Sequence, residues 1–124
     1  MKIYKSKSFA KFTKKEGISN QKLFDTVNDA EKGIIYADYG DGVIKQRISR
    51  KGGGKSGGYR SIVLFRVGNR AFFVHGFAKK DAENITPNEI MFFKEIASIH
   101  LHCSDQEIDL LVNKGIYQEV VCDE

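Results

Sequence analysis

The densest run of reactive side chains lies between Val43 and Arg60, VIKQRISRKGGGKSGGYR. It holds Lys45, Arg47, Arg50, Lys51, Lys55 and Arg60 and no acid, and five glycines fall between Gly52 and Gly58. A hydrophobic core calls for neither feature, because glycine costs backbone entropy on folding and clustered cations repel one another. Both suit a backbone that comes close to a polyanion, with amides and cationic groups directed at phosphates. A solvated basic loop is the plainer reading of the same residues. The total absence of acid over the run argues for phosphate contact.

Other chemistries fit less well. Gly54-Lys55-Ser56 has the ending of a nucleotide-binding P-loop, but the first glycine of that motif would fall on Ser49, and a strand rather than a helix follows. His75 falls on a strand and reads as a sheet-face histidine, while His100 and His102 are two residues apart and do not make a metal pair. Cys103 and Cys122 lack partners at ligand spacing and read as ordinary thiols, so no metal or cofactor is expected. Tyr59, bordering the basic run, could stack a base or donate to a phosphate, or simply begin a strand. No Ser/His/Asp triad or carboxylate pair is legible.

The chain that must position these groups has 124 residues, 41% of them hydrophobic, enough for one modest core. Its net charge of +4 conceals a division. Residues 1–80 carry 18 lysines and arginines against 6 acids, a net +12, and residues 81–124 carry 2 against 10, a net −8. A basic body of this kind points to a polyanionic partner, and the acidic segment could meet it. MKIYKSKSF has no apolar block behind its lysines, and no run approaches the roughly 18–20 apolar residues of a membrane span, so a cytoplasmic protein is expected.

The elements follow from periodicity and punctuation. Lys2 to Tyr4 reads as a strand. Ser6 or Ser8 caps a helix carrying Phe9 and Phe12 that ends at Gly17, and Ser19 caps a second, with Leu23, Phe24, Val27 and Ala30 on one face and Gly33 as its stop. From Ile34 the period becomes 2, giving strands Ile34–Asp38 and Val43–Ser49 around Gly40-Asp41-Gly42, then Tyr59–Val67 and Arg70–Ala78. A two-residue Gly68-Asn69 turn would set Val67 against Arg70, Phe65 against Phe72 and Val63 against Val74, with Leu64 by Phe73, Ile62 by His75 and Arg60 by Phe77. Thr86-Pro87-Asn88-Glu89 and Ser104-Asp105-Gln106-Glu107 are capping boxes opening two more helices, while Ile116 to Glu124 stays ambiguous. The expected fold is one α+β domain over residues 1–124: a small antiparallel sheet, two N-terminal helices on one side, and an acidic helical extension over residues 86–124. Strand alternation puts Lys45 and Arg47 on one face, and Arg60, Phe77 and Lys79 on a common face near the same end.

Lys45-Gln46-Arg47, the stretch from Arg50 and Lys51 through Lys55 to Tyr59 and Arg60, Phe72 through Phe77 to Lys79 and Lys80, and Asn84-Ile85 together resemble the RelE/HigB-like toxins of bacterial type II toxin–antitoxin systems. The likeness covers most of residues 1–100 and is sharpest at the K-x-GGYR hairpin entry and the F-x-K-K strand end. It implies a RelE-like fold and a metal-independent endoribonuclease that cuts messenger RNA, usually on the ribosome, by attack of a ribose 2′-OH on the adjacent phosphate. Arg60 would then stabilise the phosphate. Lys79 and Lys80 would be the basic pair at the strand end, and Lys51 or Lys55 the base if neighbouring cations depress its pKa. Lys45 and Arg47 would bind RNA, with Arg50 and Tyr59 beside them. The tyrosine that RelE has after its last strand is replaced here by Thr86 and Pro87, which leaves the general acid open.

The resemblance also implies an antitoxin partner, a small helix-turn-helix protein, on the basic surface. Two rivals stay in view: a ParE-like toxin that inhibits DNA gyrase by protein contact, and a nucleic-acid-binding module without chemistry. The cations at Lys45, Arg47, Lys51 and Lys55 favour a nucleic-acid substrate over the gyrase reading.

Overall fold

The computed structural model describes residues 1–50, 58–78 and 85–121. Lys51, Lys55, Lys79, Lys80 and Cys122 lie outside the described residues.

Local signals set the helices. Ser6 accepts a hydrogen bond from the Phe9 amide and starts α1 (Lys7–Glu16), directly after β1 (Lys2–Ser6), and Gly17 ends the helix in the left-handed region at φ 70°. Ser19 accepts from Lys22 N–H and opens α2 (Asn20–Glu31), beyond which Gly33 takes φ 83°. Both C-terminal capping boxes form: Thr86 with Glu89 opens α3 (Pro87–His100), and Ser104 with Glu107 opens α4 (Asp105–Asn113). These cap hydrogen bonds hold the Glu89 and Glu107 carboxyls below the ordinary glutamate range.

The strands are β2 (Ala37–Gly40), β3 (Val43–Ile48), β4 (Tyr59–Arg66), β5 (Arg70–Ala78) and β6 (Tyr117–Glu119), and with β1 they form one sheet of order β2-β3-β4-β5-β1-β6. The sheet is antiparallel except where β1 runs parallel to β5. The α+β fold with an antiparallel sheet is as expected, and the parallel β1–β5 pair is a detail added to it. The chain leaves β1, passes through both N-terminal helices and the β2–β4 meander, and returns beside β1 in the same direction. The ambiguous C-terminal stretch supplies β6, which pairs with β1 at the edge.

The hairpin register also differs from expectation. Arg66, not Val67, faces Arg70, and the Asn69 amide donates to Arg66 O at 3.0 Å across a three-residue loop with Gly68 at φ 69°. Leu64 therefore faces Phe72 and Val63 faces Phe73. A bulge beyond Val63 restores the expected pairs Ile62–His75 and Arg60–Phe77. The shift is selected by burial: it places Phe73 in the core beside α1 and α2, and Phe72 in the core beside α3 and α4, both fully buried.

The sheet is thus covered on both faces. On one, Phe9, Leu23 and Val27 pack on Ile44, Ile48, Tyr59, Val63 and Phe73. On the other, Phe93, Ala97, Leu101 and Ile108 pack on Val43, Ile62, Leu64 and Phe72. The acidic segment meets the basic body directly. The buried Arg70 guanidinium donates to the Asp105 carboxylate at 2.5 Å and to the Cys103 carbonyl, and Lys94 pairs with Asp41 at 3.6 Å. His100 shares a 2.6 Å hydrogen bond with the Tyr117 hydroxyl inside this core, where burial pushes the histidine pKa down and the tyrosine pKa up. No described helix is long and apolar enough to cross a membrane.

Candidate functional site

Along β3, Ile44, Gln46 and Ile48 turn toward α2, so alternation sends Lys45 and Arg47 to the opposite face, past the end of the α3–α4 core. In β4, Tyr59 and Val63 turn toward the N-terminal helices and Arg60 turns the other way. The ladder sets Arg47 directly opposite Arg60, with Phe77 next to Arg60 on β5. Like charges opposed across a ladder are unfavourable, so this pairing is not explained by stability.

An aromatic ring sits among them. The Tyr36 centroid is 4.0 Å from the Arg47 guanidinium carbon, 5.1 Å from Lys45 Nζ and 5.2 Å from the Arg60 guanidinium carbon. The negative ring face offsets part of the cationic repulsion. Lys45 and Arg60 are 9% and 5% exposed, whereas Tyr36 is 45% exposed. Arg47 Nε is buried without a hydrogen-bond partner among the described residues. The Arg47 hydrogen bond and charge, then the charges of Arg60 and Lys45, hold the Tyr36 phenol below the usual tyrosine range.

Tyr36 owes its place to Gln46. Residues 34–38 were expected to be a strand, but β2 begins at Ala37. The Gln46 side chain replaces the ladder there: its Oε1 accepts from Tyr36 N–H at 2.9 Å, and its Nε2 donates to Ile34 O at 2.9 Å and Thr26 O at 3.3 Å. A buried polar side chain so satisfied fixes the backbone from which Tyr36 projects.

The structure thus brings together Lys45, Arg47 and Arg60 and adds Tyr36. It does not bring Arg50 or Tyr59 to them. Tyr59 is buried in the N-terminal core, its ring edge-on to Phe12 at 5.7 Å, and Arg50 lies over that ring at 5.9 Å. This corrects the base-stacking expectation for Tyr59, since its ring is interior. His75 faces the α3 side, against Phe77 at 5.8 Å and Phe93 at 6.1 Å. Lys51, Lys55, Lys79 and Lys80 lie outside the described residues.

The glycine-rich run has one structural reason as well. A Cβ on Gly58 would stand 2.3 Å from Ile48 O and 2.8 Å from Arg50 N, both backbone atoms that cannot rotate away. Gly58→Ala should therefore destabilise the fold by about 1–3 kcal/mol, as overpacking does, by pushing β4 off β3 beside Arg60. A lowered urea midpoint relative to wild type checks this, and an unchanged midpoint contradicts it.

A family model described as the RelE toxin of the RelE/RelB toxin–antitoxin system matches residues 1–120. No curated protein and no solved structure matches the chain.

Proposed function

The chain belongs to the RelE toxin family, as a toxin of a toxin–antitoxin system, and on that premise we propose that it is an endoribonuclease that cuts messenger RNA on the ribosome. Membership in such a system also implies an antitoxin partner. The observation that carries the nuclease reading is the convergence of Lys45, Arg47 and Arg60 on one sheet face around Tyr36.

When a ribose 2′-oxygen attacks the adjacent phosphorus, the phosphate oxygens gain negative charge on the way to the pentacoordinate state. Fixed cations already aimed at that position lower the barrier without reorganising. The planar guanidiniums of Arg47 and Arg60, adjacent across the ladder, suit two phosphate oxygens at once. In this reading Arg60 stabilises the reacting phosphate, and Lys45 and Arg47 hold the RNA backbone. Lys51, Lys55, Lys79 and Lys80 stand in sequence next to the ends of β3, β4 and β5, and we assign them to the base and to further phosphate contacts. Arg50 extends the cationic run toward them. The antitoxin, a small helix-turn-helix protein in this proposal, would block the same face.

The test is inducible expression in bacteria, with growth and transcript 5′-ends followed together, and cleavage of a defined message by the pure protein on programmed ribosomes. Growth arrest with new 5′-ends inside coding sequence is expected. Arrest with intact transcripts and blocked gyrase supercoiling would replace this reading with the ParE-like one. Salt-dependent RNA binding without cleavage would reduce it to a binding module.

A further inference from the structure

Cleavage by 2′-OH attack needs a proton for the departing 5′-oxygen as much as it needs cations for the phosphate. Lysine and arginine side chains held among one another serve the second need. The hydroxyl that the fold adds to Lys45, Arg47 and Arg60 belongs to Tyr36. Resting on the nuclease reading above, we propose that Tyr36 is the proton donor to the 5′-oxygen leaving group.

Three observations support the assignment. Tyr36 is accessible, at 45% exposure, while the cations around it are largely covered, so a substrate phosphate settling on them meets the phenol at the surface. Its backbone is pinned by the Gln46 carboxamide, and its ring by the Arg47 guanidinium at 4.0 Å, so the hydroxyl is held in place before substrate arrives. The same cations stabilise the phenolate left after transfer, which is why its pKa lies below the ordinary tyrosine range. Lys45 and Arg47 of β3 and Arg60 of β4 face the ring, and Asp29 of α2 lines the shallow cavity beside it with Ile34 and Ile35. His75, on the same face, packs against Phe77 and Phe93, with Ile62 between it and Lys45 in the ladder.

The step balances as follows. The 2′-oxygen forms a bond to phosphorus, and its proton passes to the base assigned above among the flanking lysines and from there to water. The bond from phosphorus to the 5′-oxygen breaks, and the Tyr36 proton moves to that oxygen. The products are a 2′,3′-cyclic phosphate and a 5′-hydroxyl, and the phenolate regains a proton from water.

The experiment compares wild type, Tyr36→Phe and His75→Gln on programmed ribosomes under single-turnover conditions. The messages carry either the natural 5′-oxygen or a bridging 5′-sulfur, whose thiolate leaves without protonation. Tyr36→Phe should cut the oxygen substrate about 10²-fold more slowly or worse, with little change in half-saturating concentration. It should cut the sulfur substrate at nearly the wild-type rate. Wild type should lose rate at alkaline pH as the phenol ionises, with a midpoint below the ordinary value of about 10, and Tyr36→Phe should lack that limb. Equal rates for wild type and Tyr36→Phe would overturn the assignment, as would a slow Tyr36→Phe that sulfur does not rescue, or a loss confined to His75→Gln. No cleavage by wild type would instead overturn the nuclease reading on which it rests.

Discussion

Arg60→Ala should reduce message cleavage on programmed ribosomes by about 10²–10³-fold, the usual consequence of removing one preorganised donor from a developing oxyanion. The expectation rests on place as well as charge. Arg60 is 5% exposed, sits opposite Arg47 in the ladder and lies 5.2 Å from the Tyr36 ring, so it is held on the face that gathers the other cations. Its guanidinium Nη1 donates to the adjacent Tyr59 carbonyl at 3.3 Å, which further fixes its direction. Arg60→Lys keeps the charge but loses the planar fork, and should recover only part of the rate. Folding should survive both changes, because Arg60 lies beside Arg47 and Lys45 and its loss relieves repulsion as well as removing packing. A thermal midpoint close to wild type, alongside lost cleavage and lost growth arrest, is the expected pair of readings. Full cleavage by Arg60→Ala would remove the phosphate-stabilising role from this residue.

What the sequence discloses and what it hides divide along local and non-local physics. Ser6, Ser19, Thr86 and Ser104 announce four helix starts because a cap hydrogen bond spans three residues, and all four form. The common face of Lys45 and Arg47 follows from strand alternation alone. Alternation equally sends Tyr59 away from Arg60, so the burial of Tyr59 against Phe12 was available from the same rule. The hairpin register was not, because it depends on whether Gly68 takes its positive φ in a two- or a three-residue loop, and burial of Phe72 and Phe73 decides it. Tyr36 was hidden for a stronger reason. Its period-2 segment reads as part of a strand, but β2 begins only at Ala37, and its position is set by a glutamine ten residues away. The parallel pairing of β1 with β5 likewise joins residues nearly 70 positions apart, with no local signature.

Phe72→Ala should produce the largest loss of stability of any single truncation on the α3–α4 side, and the reason explains the division of charge along the chain. Phe72 is fully buried, stacked on Tyr4 at 5.2 Å, tilted against Tyr117 at 4.7 Å and near His100 at 6.2 Å. It therefore joins β1, β5, β6 and α3 at one point. Truncating such a phenylalanine costs about 3–5 kcal/mol, against a total of about 5–15 kcal/mol for an ordinary domain. Urea unfolding should register most of that as a lower midpoint. Phe92, one position before the buried Phe93 on α3, is 56% exposed, and Phe92→Ala should cost less than about 1 kcal/mol. If the two variants were equally stable, α3 and α4 would not be completing the core. If they separate as expected, the acidic helices have their explanation in packing. Their apolar stripe closes the second face of the sheet, Asp105 answers the buried Arg70, and Glu95, Glu107 and Asp109 are exposed. The cations of Lys45, Arg47 and Arg60 stay grouped on the sheet around Tyr36, where an RNA phosphate would lie in the proposed reading.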